Sequence, residues 1–198
     1  MNKKSHLNEA MQPRVDHEVL IPPYGGRLVD LSVQQEVKGE LKERAINLPS
    51  IELSERSICD LELLATGGFS PICRFVGSED HQRILDEMRL ISGYLFPIPV
   101  ALPIPTDAEV HLDREVALRD SRNELLAVMN VEEAYEWDKR EVGSKVFGTQ
   151  DIRHPMVAEM AHWGDINISG ELQVLQLPRR YGFRELRLTP AETRERLA

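Results

Sequence analysis

The sequence predicts an α+β domain, on three observations. Helix-like spacings fill the first half and strand-like runs most of the second, the order expected of α+β rather than alternating α/β. Tyr94 to Leu102 reads as extended but carries Pro97 and Pro99. Proline cannot donate to a ladder, so this run belongs at a sheet edge or in an extended loop. Residues 115–118 and 125–129 are apolar runs flanking Asp120-Ser121-Arg122-Asn123, a hairpin with a polar turn. Together they point to an antiparallel or barrel-like sheet.

The elements follow in order. Residues 1–18 are polar and carry little pattern. Val19-Leu20-Ile21 reads as a short strand stopped by Pro22-Pro23, and Gly25-Gly26 marks a turn. Val33, Val37, Leu41 and Ala45 recur every four residues, the narrow stripe of an amphipathic helix. A second helix runs from about Ser54 to Ala65 and stops at Gly67-Gly68, where glycine supplies the positive φ of a helix end. A third starts at Ser78, whose hydroxyl can cap, with Glu79 and Asp80 at the positive end of the dipole. Ile84, Leu85, Met88 and Ile91 are its expected buried face, and Gly93 its end. A short helix is expected from about Asp138 to Val146 and a strand from Leu172 to Leu177. Thr189-Pro190-Ala191-Glu192 is a capping box with proline at the first helical position. A helix much shorter than about 12 residues is marginal in water unless packed, so a well-capped start near Ala198 suggests a chain that continues in a parent protein.

Composition narrows the function classes. The 198 residues carry 24 Lys and Arg against 33 Asp and Glu, a net charge of −9. Such a chain repels polyanions, and Lys/Arg–phosphate contacts supply most non-specific nucleic-acid affinity. Apolar content of 41% with 29% charged is globular composition. No apolar run approaches the roughly 20 residues that span a bilayer, and the N-terminus lacks an apolar segment behind its basic residues. Two cysteines, Cys59 and Cys73, without CxxC spacing read as reduced, half-buried thiols of a cytoplasmic protein. Charge is uneven. From Leu177 onward six arginines face three glutamates, so this tail is +3 and the rest −12. Such an edge suits solvent, an acidic neighbour or an anionic ligand.

Four groups of residues are candidates for chemistry. Gly67-Gly68-Phe69-Ser70 invites reading as a phosphate loop, but it lacks the P-loop lysine. A helix C-terminus is also the wrong pole for an anion, so a turn that packs Phe69 is the better reading. Asp151, His154, His162 and Asp165 lie close in sequence as potential metal ligands, without the helical i, i+4 pairing of a zincin. A polar loop with His154 hydrogen-bonded before Pro155 is favoured. Cys73 beside Arg74 resembles an activated thiol, while Cys59 sits in a helical pattern and reads as core; no general base is identifiable for either. Asp60 and Glu62 read as solvated or loop-bonding carboxylates.

Five blocks carry a family resemblance. Asp60-Leu61-Glu62-Leu63-Leu64-Ala65-Thr66-Gly67-Gly68-Phe69-Ser70-Pro71-Ile72-Cys73-Arg74-Phe75 resembles the D-L-E-L-x-x-x-G-G-F-S-P-L-x-G-F block of ATP sulfurylase (sulfate adenylyltransferase). Pro23 to Val29 looks like its P-H-G-G-x-L-V, and Glu87-Met88-Arg89-Leu90 with Gly93 and Phe96-Pro97-Ile98-Pro99 like its E-M-R-L-x-x-G-x-x-W-P-I-P. Val146 to Pro155 looks like V-F-G-T-x-D-x-x-H-P, and Leu188 to Arg194 like L-T-P-A-E-x-R. The blocks fall in the family's order and span roughly residues 19–198. The sequence departs from them at Tyr24 (histidine in the family), Arg74 (glycine) and Phe96 (tryptophan).

The resemblance implies a PUA-like pseudo-barrel with flanking helices, the non-catalytic N-terminal domain of such an enzyme. It divides the chain into a polar segment at 1–18, the PUA-like domain at 19–188, and at 189–198 the start of a helix leading to a catalytic domain. The family's Q-x-R-N-P and H-x-x-H segments, which hold the ATP phosphates and sulfate, do not occur here. No catalytic, cofactor-binding or metal-binding residue is therefore assigned to this chain, and it is expected to be inactive alone. ATP and magnesium are expected only in the catalytic domain, the chief expected partner; a homo-oligomer stays open. The alternative reading is a free-standing PUA-like module that binds a protein or nucleic acid. A third is an enzyme using Cys73.

Overall fold

A computed structural model describes residues 20–198; the polar segment expected at 1–18 lies outside the described residues. The elements are α1 (Lys38–Ala45), β1 (Ser50–Glu52), α2 (Glu55–Thr66), α3 (Ser78–Glu87), β2 (Leu102–Ile104), β3 (Arg114–Arg119), β4 (Leu125–Glu136), α4 (Lys139–Val146), α5 (Pro155–Met160), β5 (Ile166–Val174), a 3-10 turn at Arg184–Leu186, and α6 (Pro190–Leu197). Five strands form one sheet in the order β1-β3-β4-β5-β2. Only β1 and β3 pair in parallel; the other pairs are antiparallel. The sheet curls into a half-barrel, the architecture that the family resemblance implies. Register shifts at Leu118/Arg119 and Val131/Glu133 help it curl, because an extra residue bends a strand and sharpens its twist. Gly170 sits opposite the second shift. A Cβ there would lie 1.9 Å from the Asn130 carbonyl oxygen, so the close approach of β4 and β5 excludes a side chain.

Strand alternation sends successive side chains to opposite faces. Val116, Leu118, Met129, Val131 and Ile168 face the main core with Leu61 and Leu64 of α2, Ile84 of α3 and Phe75. Ala117 and Val128 face the other way, against Leu41 and Ala45 of α1. A third cluster joins Leu85 of α3, Val142 of α4 and Met160 of α5, flanked by Trp137, Phe147 and Trp163.

The hairpin of β3 and β4 forms as expected, and so does the Ser54-capped α2, whose Ser57 N–H donates to the Ser54 hydroxyl at 3.1 Å. Gly67 ends α2 at φ 82°. Asp138 caps α4. Pro97 and Pro99 lie in an extended loop, one of the two alternatives expected for this run; the edge strand β2 begins only at Leu102 and contains Pro103.

Several expectations need correction. Leu20 and Ile21 are not strand, and Val19 lies outside the described residues. The chain meets the sheet at Leu31–Val33 instead: Val174 N–H donates to Leu31 O at 3.0 Å and Val33 N–H to Val174 O at 2.9 Å. That pairing removes Val33 from the helix, so α1 begins after Val37, which is exposed. Ser78 does not cap α3 with its hydroxyl. Gly77 holds the cap position, and the Ser78 N–H donates to the Glu133 carboxylate of β4 at 3.1 and 3.2 Å. A carboxylate from another element thus satisfies a helix-end donor and complements the dipole. α3 ends at Met88, φ 54°, well before Gly93. A tight loop follows, with Leu90 N–H on Tyr94 O and Phe96 N–H on Met88 O, and it leaves Met88 and Ile91 exposed. β5 starts six residues before Leu172, and β1 and α5 are additions to the expected elements.

Candidate interdomain surface

The segment after β5 runs back across the domain and is held by side chains rather than by sheet pairing. Arg179 pairs with Glu124 at 3.2 Å. Arg180 donates to Glu62 Oε2 from Nη2 at 2.5 Å and Nε at 3.2 Å, and its Nη2 lies 3.4 Å from Cys59 Sγ. Arg184 donates to the Arg180 carbonyl at 2.8 Å and Arg187 to the Gly182 carbonyl at 3.1 Å. Arg122 donates to the Tyr181 hydroxyl at 2.7 Å and lies 5.3 Å over its ring. The basic tail is therefore partly consumed by the domain's own carboxylates and carbonyls. A shallow depression of about 340 Å³ lies between α2 and this tail, lined by Glu62, Leu63, Arg187 and Pro190 among others.

The same segment exposes large apolar side chains. Tyr181 is 64% exposed, Phe183 73%, Leu186 72% and Leu197 67%. Exposed apolar side chains of this kind suit contact with another surface; Met88, Ile91, Leu95 and Ile98 form a second exposed set on the loop after α3. α6 has the expected capping box: Thr189 N–H donates to Glu192 Oε2 at 2.8 Å and Glu192 N–H to Thr189 Oγ1 at 3.2 Å. Those bonds hold the Glu192 carboxyl below its usual range. Yet α6 buries no residue. Its placement rests on the cap and on Arg194, which donates to the Ile21 carbonyl at 2.5 Å.

The sequence-selected candidates do not assemble into a reaction centre. Gly67 to Ser70 is the turn that ends α2; the Ser70 hydroxyl donates to Gly67 O at 2.8 Å and accepts from Val29 N–H at 3.0 Å, and Phe69 packs edge-on to Phe96. Asp151 is held by Arg153, Asp165 by Lys139 at 2.8 Å, and the His154 ring stacks on Phe147 at 5.2 Å. His154 stands in the loop directly before Pro155 and α5, as expected; its backbone N–H donates to the Asp151 carbonyl at 2.9 Å, but its ring Nδ1 is buried without a hydrogen-bond partner. Among the described residues no three His, Cys, Asp or Glu side chains come together as a metal site. Cys59 and Cys73 are both exposed, not half-buried or core. Asp60 is buried rather than solvated, paired with Arg56 at 3.3 Å, and burial raises its carboxyl above the ordinary range.

The three departures from the family blocks are accommodated. Tyr24 donates to the Leu95 carbonyl at 3.1 Å and packs edge-on against Tyr94. Phe96 packs on Phe69. Arg74 replaces a glycine at a position where φ is not positive, and its side chain pairs with Glu132. The exposed apolar set on 181–197 was not foreseen from sequence. Its signal was present as Tyr181, Phe183 and Leu186 lying between arginines, and Leu197 just after one, without a strand or long-helix period.

No helix among the described residues is long and apolar enough to cross a membrane. The family model of the PUA-like domain matches residues 21–177. The chain is 39% identical over 180 residues to a sulfate adenylyltransferase of Symbiobacterium thermophilum, spanning 90% of this chain and 46% of that protein. It is 37% identical over 177 residues to a probable bifunctional SAT/APS kinase 2 of Sorangium cellulosum, spanning 88% of this chain and 30% of that protein. Among solved structures it superposes on the hexameric APS kinase from Thiobacillus denitrificans with a TM-score of 0.69 and 29% identity, covering 89% of this chain and 31% of that one. The chain thus spans less than half the length of these relatives.

Proposed function

The chain belongs to the PUA-like domain family, and we propose that it serves as the non-catalytic N-terminal domain of a sulfate adenylyltransferase. The parent reaction would be attack of a sulfate oxygen on the α-phosphorus of ATP, giving adenosine 5′-phosphosulfate and pyrophosphate. That chemistry needs cations clamped around phosphates, and on this reading ATP and magnesium are held by the remainder of the parent. This chain contributes no catalytic residue. Its task is to support and orient the catalytic domain through residues 177–198, in a cytoplasmic enzyme of sulfate assimilation. Self-association of the parent is part of the same proposal, by analogy with the hexameric relative.

The observation that carries this reading is the exposure of Tyr181, Phe183, Leu186 and Leu197 on a segment whose arginines already lie on the domain. Substituting this chain for the matching segment of the Symbiobacterium thermophilum protein tests it. The chimera should retain sulfurylase activity. Phe183→Ser with Leu186→Ser should lower the chimera's melting temperature while leaving the isolated chain unchanged. Equal effects on both proteins would count against a docking role.

A further inference from the structure

The face of the sheet turned away from the main core carries a cavity that the proposed docking role does not use. It has a volume of about 260 Å³ and lies between β5, the loop before β2, and helices α4 and α5. Its walls are mostly apolar and aromatic, including Trp137, Phe147 and Trp163. Trp137 and Trp163 are the chain's only two tryptophans. Their rings lie 6.1 Å apart, tilted by 33°.

Three polar side chains, Arg56, His81 and Asn167, interrupt the apolar wall, and Asn167 is the one without a close partner. Asn167 of β5 is 1% exposed, and neither its Oδ1 nor its Nδ2 has a hydrogen-bond partner. Leaving a buried polar group unpaired is costly, and native chains rarely retain one without reason. Register explains why the sheet does not rescue it. Asn167 stands opposite Tyr135 on β4 and Pro103 on β2. The Tyr135 hydroxyl donates to the Val76 carbonyl at 2.8 Å, so toward the Asn167 amide it offers only an acceptor, which serves Nδ2 and not Oδ1. Ser169, next along this face, gives its proton to the Phe75 carbonyl at 2.6 Å. The Trp137 indole N–H is spent on the Gly164 carbonyl at 3.0 Å. Proline offers nothing. The Asn167 Oδ1 is left as an uncommitted acceptor, and the Nδ2 amino group, which carries two hydrogens, has the Tyr135 oxygen as its one polar neighbour on this strand pair.

The charge at the rim is compensated. Arg56 lies 4.2 Å over the Trp163 ring and pairs with Asp60. Toward α3 the wall is His81, whose ring lies 5.7 Å from that of Tyr135.

We propose that this cavity binds a small, neutral, planar molecule whose edge carries a donor next to an acceptor, as a carboxamide does. The aromatic side chains take its faces and the Asn167 amide takes its edge. Sites of this kind pair a mostly apolar wall with a few placed polar groups. An amide edge gives Oδ1 the donor it lacks and offers Nδ2 an acceptor at the same time. A carboxylate would lack the donor and would lose its hydration in the apolar interior.

Benzamide is the probe. The tryptophans of the chain both line the cavity, so intrinsic fluorescence reports on it directly. Benzamide should change the emission saturably below about 10 mM, the range of a weak millimolar complex. N,N-dimethylbenzamide, which lacks the donor, should bind about tenfold more weakly or worse, the scale set by leaving a buried acceptor unpaired. Benzoate should not compete. Asn167→Leu should weaken benzamide by a similar factor while leaving dimethylbenzamide unchanged. Val142→Phe, which fills the cavity and keeps Asn167, should abolish the response to both. If Asn167→Leu does not fold, the two amides compared on the unaltered chain still decide. No saturable response to benzamide, tighter binding of benzoate through Arg56, or equal affinity for both amides would overturn the proposal.

Discussion

Arg180, from the segment that follows the last strand, donates twice to one oxygen of Glu62 on α2, at 2.5 and 3.2 Å. The pair joins positions 118 residues apart and anchors the basic tail on the helix that carries much of the core. Both side chains are about a quarter exposed, 27% and 26%. A double-mutant cycle with Arg180→Ala and Glu62→Ala should give a coupling of about 0.2–1 kcal/mol, the range of partly exposed pairs. The coupling should shrink in about 1 M salt, where screening acts within roughly 3 Å. A salt-insensitive coupling of several kcal/mol would mean the pair is buried in solution.

The same ion pairs separate an interdomain tail from an RNA site. Arg179 and Arg180 are already matched to Glu124 and Glu62, and the rest of the chain is −12. Filter binding to mixed single-stranded RNA should detect no complex at physiological salt. Four arginine–phosphate contacts would instead give a log–log salt slope of about −3, at roughly −0.7 per contact. Micromolar binding with that slope, abolished by Arg179→Ala with Arg180→Ala, would reassign the tail.

α6 is capped at its start and buries nothing. Thr189→Ala removes the hydroxyl that accepts from Glu192 N–H, a loss of about 0.5–2 kcal/mol to helix stability. Because α6 adds little to the core, the global melting transition should barely move. Hydrogen exchange should show residues 192–197 exchanging much faster than α3 around Ile84, and faster still in the variant. Equal protection of α6 and α3 in the unaltered chain would show that the helix docks on this domain.

His81 is buried against Tyr135 and Trp137, and burial pushes its imidazole below the ordinary value of 6.5, a shift that Glu141 opposes. The folded state then binds fewer protons than the unfolded state below about pH 6.5. The stability associated with neutral His81 is complete above that pH and is lost as pH falls toward the lowered folded value. His81→Phe keeps an aromatic ring and removes the titration. Urea midpoints at about pH 7.5 and about pH 5 should fall less in the variant than in the unaltered chain. Identical decreases would contradict a buried neutral histidine.

Sequence reasoning succeeded where local chemistry and tertiary demand agree. Ser54 and Gly67 bracket α2, Asp138 opens α4, and Thr189 with Glu192 opens α6, because capping needs only residues a few positions apart. It failed where a distant group decides. Glu133 caps α3 from 55 residues away, so Ser78 looked like the cap. Val33 fits a helical stripe, yet the backbone around it is claimed by Val174. β1 is three residues long and exists only as a partner for β3. The early part of β5 was legible: Asn167, Ser169 and Glu171 alternate with Ile166, Ile168 and Leu172. The polar half of that alternation faces the aromatic cavity wall rather than solvent at Asn167, which no single-residue propensity conveys.

In the proposed function this chain would support sulfurylase chemistry carried out by the rest of a parent enzyme. The direct measurement is molybdate-dependent cleavage of ATP to AMP and pyrophosphate by the pure 198-residue chain with magnesium present. Gly67–Ser70 stands at the C-terminal end of α2, the pole that disfavours a phosphate, and among the described residues no three His, Cys, Asp or Glu side chains come together. The predicted result is a rate indistinguishable from buffer. Sustained AMP release by the purified chain would contradict the account.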